Sequence, residues 1–313
     1  MKRYVLKRLL WTIPILFGVT LLSFAMIRLA GSDAVLQHAD STGVLLTPEL
    51  IASERARLGL DQPFFVQYFR WLKGFLSGDF GNSFVSGKPV LDAFWEKLPA
   101  TLLLTGSATV LTVLISVPLG VLSAVRQDRF SDYLIRFCSF IGNSLPNFFV
   151  ALILVYLLAI CFPVFPVISK AVDLKNAVLP TLTLTIAMSA KYLRQVRAAM
   201  LEELHKPYVS GARARGVPFR KILWNSAFRS CLVTLMTLLA LSIGSLLGGT
   251  AIIEPIFMWD GVGKMAVDAI EMRDLPVIQA YVVWMAVIYV LINLLTDISY
   301  RFLDPRIRME GES

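Results

Sequence analysis

Long apolar runs alternate with polar stretches along this chain, and the lengths of the runs decide how it folds. Six runs stand out, at about 9–30, 99–125, 137–162, 177–193, 231–253 and 277–300. A helix that crosses a bilayer needs about 20 mostly apolar residues. Five of the runs meet that length and the fourth is short. The pattern predicts an all-α integral membrane protein with six spans. The first run has a basic flank at Lys2 and Arg3, is longer than a signal-peptide core, and is followed by no small-residue cleavage site. It reads as an uncleaved N-terminal anchor over 1–30. Residues 99–313 then form the membrane core, with the loop 191–229 within it.

Residues 31–98 are too long for a turn and carry helical signals of their own. Thr47, Pro48 and Glu49 read as an N-cap, a first-turn proline and a first-turn acid, with Gly59 as the stop. A second helix is predicted from Pro63. Its Phe64, Tyr68, Trp71, Leu72 and Phe75 recur at helical spacing and form an aromatic stripe. The stripe fits packing on the membrane helices or on a partner subunit.

Composition sharpens the membrane reading. Apolar residues make up 56% of the chain and charged residues only 17%, against about 25% charged in soluble domains. The formal net charge is +8. The positive residues cluster beside the apolar runs, so they report topology rather than nucleic-acid binding. With the N-terminus inside, the segments 1–8, 126–136, 191–229 and 301–313 hold 19 of the 30 Lys and Arg. The positive-inside rule therefore predicts that both termini are cytoplasmic. The runs themselves are almost free of charge, Asp297 being the main exception, so the chain has no intramembrane relay for ion-coupled transport. The energy source is expected outside it.

Four prolines, Pro14, Pro118, Pro146 and Pro180, lie within runs, where each is a candidate kink. In the fifth run, Gly244, Gly248 and Gly249 permit close approach of another helix. They serve either packing or the wall of a pathway. Cys138, Cys161 and Cys231 are separate and apolar in setting, and only His38 and His205 could join them. A metal site or a disulfide framework is not indicated.

The segment 191–229 is the longest and most basic loop of the cytoplasmic set. At its centre stand Tyr208, Val209, Ser210, Gly211, Ala212, Arg213, Ala214, Arg215 and Gly216. Pro207 precedes them and Pro218 follows, so a stiff helix of two or three turns is held between two breaks, with Gly216 closing it in a left-handed conformation. Small residues let another surface approach, and Arg213 and Arg215 add charge beside them. The segment suits mechanical coupling to an ATPase, or equally a basic loop held near anionic lipid.

This segment resembles the EAA loop of ATP-binding-cassette importer permeases, and the surrounding chain resembles the peptide/nickel permease family. Further matches are Leu58-Gly59-Leu60-Asp61-Gln62-Pro63, Gly78-Asp79-Phe80-Gly81-Asn82-Ser83, Arg273-Asp274-Leu275-Pro276-Val277-Ile278-Gln279 and Asp304-Pro305-Arg306-Ile307-Arg308. The most distinctive is Ile253-Glu254-Pro255-Ile256-Phe257-Met258-Trp259-Asp260-Gly261-Val262-Gly263, whose Phe257, Trp259, Gly261 and Gly263 are expected in an outer loop. The chain departs from the family pattern at Ser210 and Gly211, at Thr234, and at Asp260, where relatives have proline.

The resemblance implies a type I importer permease of the bacterial inner membrane, with residues 208–216 as the coupling helix. It implies as partners a second homologous permease, two ATP-binding subunits, an extracytoplasmic binding protein and membrane lipid. No cofactor is expected on this chain, and ATP and Mg²⁺ belong to the partner subunits. The residues agree that the chain is not an enzyme. It has no G-x-x-x-x-G-K-[ST] phosphate loop, no H-E-x-x-H and no G-x-S-x-G. The compact loop at 163–176 and the run Thr47-Pro48-Glu49-Leu50-Ile51-Ala52 resemble nickel and metallophore members. The substrate expected is thus nickel or a nickel chelate, with a dipeptide or oligopeptide as the alternative.

Overall fold

The computed structural model describes residues 2–29, 47–58, 61–168 and 172–303. The expected stop at Gly59, the 304–308 motif and the side chain of Asp297 lie outside the described residues. What is described is almost entirely helical. The helices are α1 (Lys2–Leu29), α2 (Pro48–Leu58), α3 (Phe64–Leu76), α4 (Val90–Val125) and α5 (Phe130–Ser144). After them come α6 (Asn147–Cys161), α7 (Leu174–Leu204), α8 (Pro207–Ala214), α9 (Phe219–Ile256), α10 (Val262–Glu271) and α11 (Leu275–Leu303). Wider π-type turns close α6 at Tyr156–Cys161 and interrupt α9 at Leu223–Ala227.

Among the described residues, four helices are long and apolar enough to cross a membrane, within α1, α4, α9 and α11. The third expected span is not one straight helix. It is the pair α5 and α6, bent by 99° at a short break. Leu145 there is extended (φ −83°, ψ 132°), the conformation favoured before proline. Pro146 breaks the helix, whereas α1, α4 and α7 run on through Pro14, Pro118 and Pro180. The difference lies in the flanks. Asn143, Ser144 and Asn147 around Pro146 supply polar side chains that suit a helix end, while mostly apolar residues flank the other three prolines.

The fourth run proves to be part of α7, which is 31 residues long and continues well past 193. Its run is short in the sequence because Lys175 and Asn176 precede it and Lys191 and Arg194 stand at its end; within it Thr181, Thr183, Thr185 and Ser189 are all buried. Protein rather than lipid surrounds these positions, so they need not be apolar.

Packing divides the chain into two units, Met1–Ala100 with Asp260–Leu291, and Thr101–Trp259 with Ile292–Ser313. In the first unit the aromatic stripe of α3 packs on α1. Tyr68 is fully buried, edge-on to Phe17 and Phe24 at 5.8 and 5.6 Å between ring centroids. Thr20 donates its hydroxyl to the Phe17 carbonyl at 2.9 Å, so in the 2.9 Å bond between Thr20 and Tyr68 the phenol is the donor. Tyr68→Phe strands the Thr20 oxygen and is expected to destabilise the protein by about 1 kcal/mol. A thermal melt in detergent, read against wild type, checks this. A second cluster in this unit joins Val90 and Phe94 to Val262, Met265, Ala269, Val277 and Trp284. The Phe94 and Trp284 rings stack at 3.7 Å.

The core of the second unit draws Val121 and Ala124 from α4, Tyr192, Val196 and Met200 from α7, and Ala227, Cys231 and Leu235 from α9. The closest helix approach is at Gly120, where a Cβ would lie 2.7 Å from the Val196 side chain. At Gly142 a Cβ would lie 3.0 Å from the Cβ of Ala190. These two glycines hold α7 against α4 and α5.

Candidate functional site

The segment between α7 and α9 is built as a braced short helix. Lys206 is extended before Pro207, which occupies the first turn of α8. At the far end, Gly216 N donates to Arg213 O at 2.9 Å and Val217 N to Ala212 O at 3.1 Å. Gly216 has φ +78°. This pair of bonds around a left-handed glycine is the Schellman closure. Pro218 then starts α9.

Three contacts fix α8 to its surroundings. Val209 is buried. Glu203, buried at the end of α7, accepts from Lys206 Nζ at 2.5 Å and from Tyr208 Oη at 2.9 Å. Burial, and then the bond to Glu203, pushes the Tyr208 phenol up to about 12. The bond to Glu203 also raises the Lys206 ammonium. Arg213 lies over the Phe219 ring at 4.8 Å.

Arg213 and Arg215 are both exposed, and Arg213 also stacks on α9, because a guanidinium is attracted to an aromatic face. Exposed residues of the segment are Tyr208, Ser210, Arg213, Ala214, Arg215 and Gly216, with Gly211 and Ala212 half-buried. A Cβ on Gly211 would meet only the Arg215 guanidinium, at 3.9 Å. The Glu203 brace was missed. Its signal was the Glu203-to-Lys206 spacing at a helix end, where three residues bring side chains together.

A second feature of the same unit is a cavity of about 190 Å³ beside the α5–α6 break. Its lining includes Gly142, Asn143, Asn147, Lys191, Ser245 and Gly249. The small residues singled out in the fifth run therefore reach this cavity through Gly249. A Cβ there would sit 4.0 Å from Asn147 Nδ2, and one on Gly248 would meet nothing within 4 Å. Gly244 is half-buried in the same helix.

Phe257 and Trp259, expected in an outer loop, are fully buried side chains at the end of α9. The turn closes through Trp259 N donating to Glu254 O at 2.8 Å. Met258 between them has φ +53°. The Glu254 carboxylate is itself fully buried and accepts from Thr101 Oγ1 at 2.7 Å.

In the first unit, Gly261 caps α10 and Gly263 is buried in its first turn. Asp260 pairs with Lys97. Two motif segments far apart in sequence meet here. Asp274 is buried and accepts from Ser83 Oγ at 2.5 Å and from Phe84 N at 3.1 Å. Among the described residues, no group of three His, Cys, Asp or Glu is placed to hold a metal ion.

The described residues form a multi-span helical protein with a braced short helix between two of its long helices, and sequence comparison defines its kind. Residues 116–309 match the family described as the binding-protein-dependent transport system inner membrane component. Residues 1–105 match the N-terminal model of the same kind of component. The chain belongs to this family of importer permeases. Its members are membrane permease components and not enzymes, and ATP hydrolysis lies in separate subunits.

The chain is 38% identical to the oligopeptide transport system permease protein AppB of Bacillus subtilis, over 98% of this chain and 99% of that one. It is 33% identical to the dipeptide transport system permease protein DppB of Alkalihalophilus pseudofirmus, over 98% and 100%. It is 34% identical to the glutathione transport system permease protein GsiC of Escherichia coli K12, over 98% and 99%. In fold it is similar to a chain of the inward-facing MetNI methionine ABC transporter, with a TM-score of 0.58, 17% identity, and coverage of 68% of this chain and 96% of that one. These relatives are named for oligopeptide, dipeptide and glutathione transport, and none of the three is named for nickel.

Proposed function

We propose that this chain forms half of the translocation pathway of an ATP-driven peptide importer, with α8 as the helix through which ATPase movements reach the membrane. The observation that carries the coupling role is the construction of α8. It is fixed at its base by Val209, Glu203 and Phe219 and closed by Gly216, and its small residues are accessible from outside. A lever that transmits motion needs a stiff root and a face that a partner approaches closely. The peptide substrate is supported by the names of the curated relatives.

In this reading a second homologous permease completes the pathway. Two ATPase subunits carry ATP and Mg²⁺, and an extracytoplasmic protein delivers the peptide. The asymmetry of Lys and Arg supports cytoplasmic termini and a cytoplasmic α8 in a bacterial inner membrane. Reconstituted alone, the chain is expected to hydrolyse no ATP. Assembled with its partners, it is expected to accumulate a labelled tripeptide in proteoliposomes only when ATP is supplied. ATP-driven uptake of nickel without uptake of any peptide overturns the substrate. Uptake that does not depend on ATP overturns the mechanism.

A further inference from the structure

The α5–α6 break lies inside a helix pair apolar enough to count as one span. In hydrocarbon, non-helical backbone persists only where protein buries it or where it lines a water-filled cavity. This break borders the 190 Å³ cavity. Asn143 is exposed, Asn147 half-buried and Lys191 exposed. An exposed amide is costly against lipid tails, and Lys191 opens the basic segment 191–229 expected on the cytoplasmic side, so this face meets water or a polar partner. Gly249 keeps the space open, since a Cβ there would meet only Asn147 Nδ2, at 4.0 Å.

Resting on the peptide-importer reading, we infer that this cavity is a water-lined part of the pathway that holds the carboxylate end of the passing peptide. Lys191 pairs with the carboxylate, and Asn143 and Asn147 bond the adjoining peptide groups. The chemistry follows from the residue types. An Asn side chain offers one acceptor and an N–H donor, the complement of a peptide group. It therefore binds main chain whatever the side chains are. An ammonium is a charged donor to carboxylate, and no Asp, Glu or His lines the cavity to attract a metal cation. The volume falls below the roughly 300–1,000 Å³ of sites that enclose a whole small ligand. One end of the peptide is thus held and the rest passes free.

The test uses the assembled importer in proteoliposomes, with trialanine as probe. In a background where Cys138, Cys161 and Cys231 are serine, Asn147→Cys is expected to react with a charged, water-soluble methanethiosulfonate reagent. Trialanine turnover is expected to slow that reaction at least about threefold. Lys191→Met is expected to lower trialanine uptake about tenfold, and Lys191→Arg to keep at least half of it. An unreactive Asn147→Cys overturns the water-lined wall. Unchanged uptake in Lys191→Met overturns the carboxylate contact, as does a Lys191→Arg variant no better than it. A Lys191→Met defect seen only in vesicles containing anionic lipid reassigns the lysine to a lipid phosphate and also overturns it. If the wild type moves no peptide, the functional reading falls instead, and the cysteine reaction still decides whether the wall is wet.

Discussion

Asp132→Ala is expected to destabilise the protein by about 3–5 kcal/mol, the cost of breaking a buried ion pair by removing one partner. Asp132 is fully buried. It accepts from Arg197 Nε and Nη2, each at 2.8 Å, from Ser123 Oγ, and from Asp128 N at 3.0 Å. One carboxylate thus ties the end of α4, the following turn, the start of α5 and the middle of α7. Alanine leaves the Arg197 guanidinium, only 18% exposed, without its bidentate partner. It also releases Asp128, whose φ of +59° is held by that bond.

Arg136, a second cation 3.9 Å from Asp132 and half-exposed, loses a weaker pairing and offers Arg197 no counter-charge. The double variant Asp132→Leu with Arg197→Met is expected to recover much of the loss, since neither buried charge then remains. Thermal unfolding in detergent of wild type, Asp132→Ala, Asp132→Leu, Arg197→Met and the double variant measures both the loss and the recovery. A loss under 1 kcal/mol for Asp132→Ala means that the pair does not hold this turn.

Nothing local in the sequence announces that pair, because its partners stand 65 residues apart. The same holds for Ser83 and Asp274, each in a motif that was legible but 191 residues from the other. What the sequence does carry is periodicity. The apolar runs marked the long helices, and the aromatic stripe from Phe64 to Phe75 marked the buried face of α3. Pro207, Gly216 and Pro218 marked both ends of α8, because proline and glycine restrict the backbone wherever they stand.

Context decided the rest. Four prolines looked alike, yet only Pro146, flanked by Asn and Ser, breaks its helix. Glycines are equally mute. Those in the fifth run fitted either packing or a pathway wall, while Gly120 and Gly142 make the tight approaches, where Val196 and Ala190 press against them. The site was legible as a segment and not as a mechanism. Glu203, which anchors Tyr208 and Lys206, sits in the preceding helix, where it reads as an ordinary surface acid.

Gly216→Val is expected to reduce peptide uptake to under about a tenth of wild type while leaving the protein folded and inserted. Gly216 adopts φ +78°, and a Cβ there would meet nothing within 4 Å. The penalty is therefore one of backbone conformation and not of crowding. A left-handed L-residue costs about 1–2 kcal/mol, and a β-branched side chain is the least tolerant of it. That is too little to unfold helices whose cores lie at Val121, Tyr192 and Leu235. It is enough to favour a different turn.

A different turn abandons the bonds from Gly216 N and Val217 N back to Arg213 and Ala212, and it re-aims α8 against α9. Gly216→Asn separates this cause from a general intolerance of substitution, since asparagine enters the left-handed region far more readily. It is expected to keep at least half of wild-type uptake. Ala212, half-buried within its own chain, is a poorer probe, because a large side chain there disturbs packing before it meets any partner. The measurement pairs uptake with co-purification of the ATPase subunits, at matched membrane abundance. Gly216→Val is expected to lose both together and Gly216→Asn neither. Equal uptake by wild type, Gly216→Val and Gly216→Asn removes α8 from the path between ATP hydrolysis and transport.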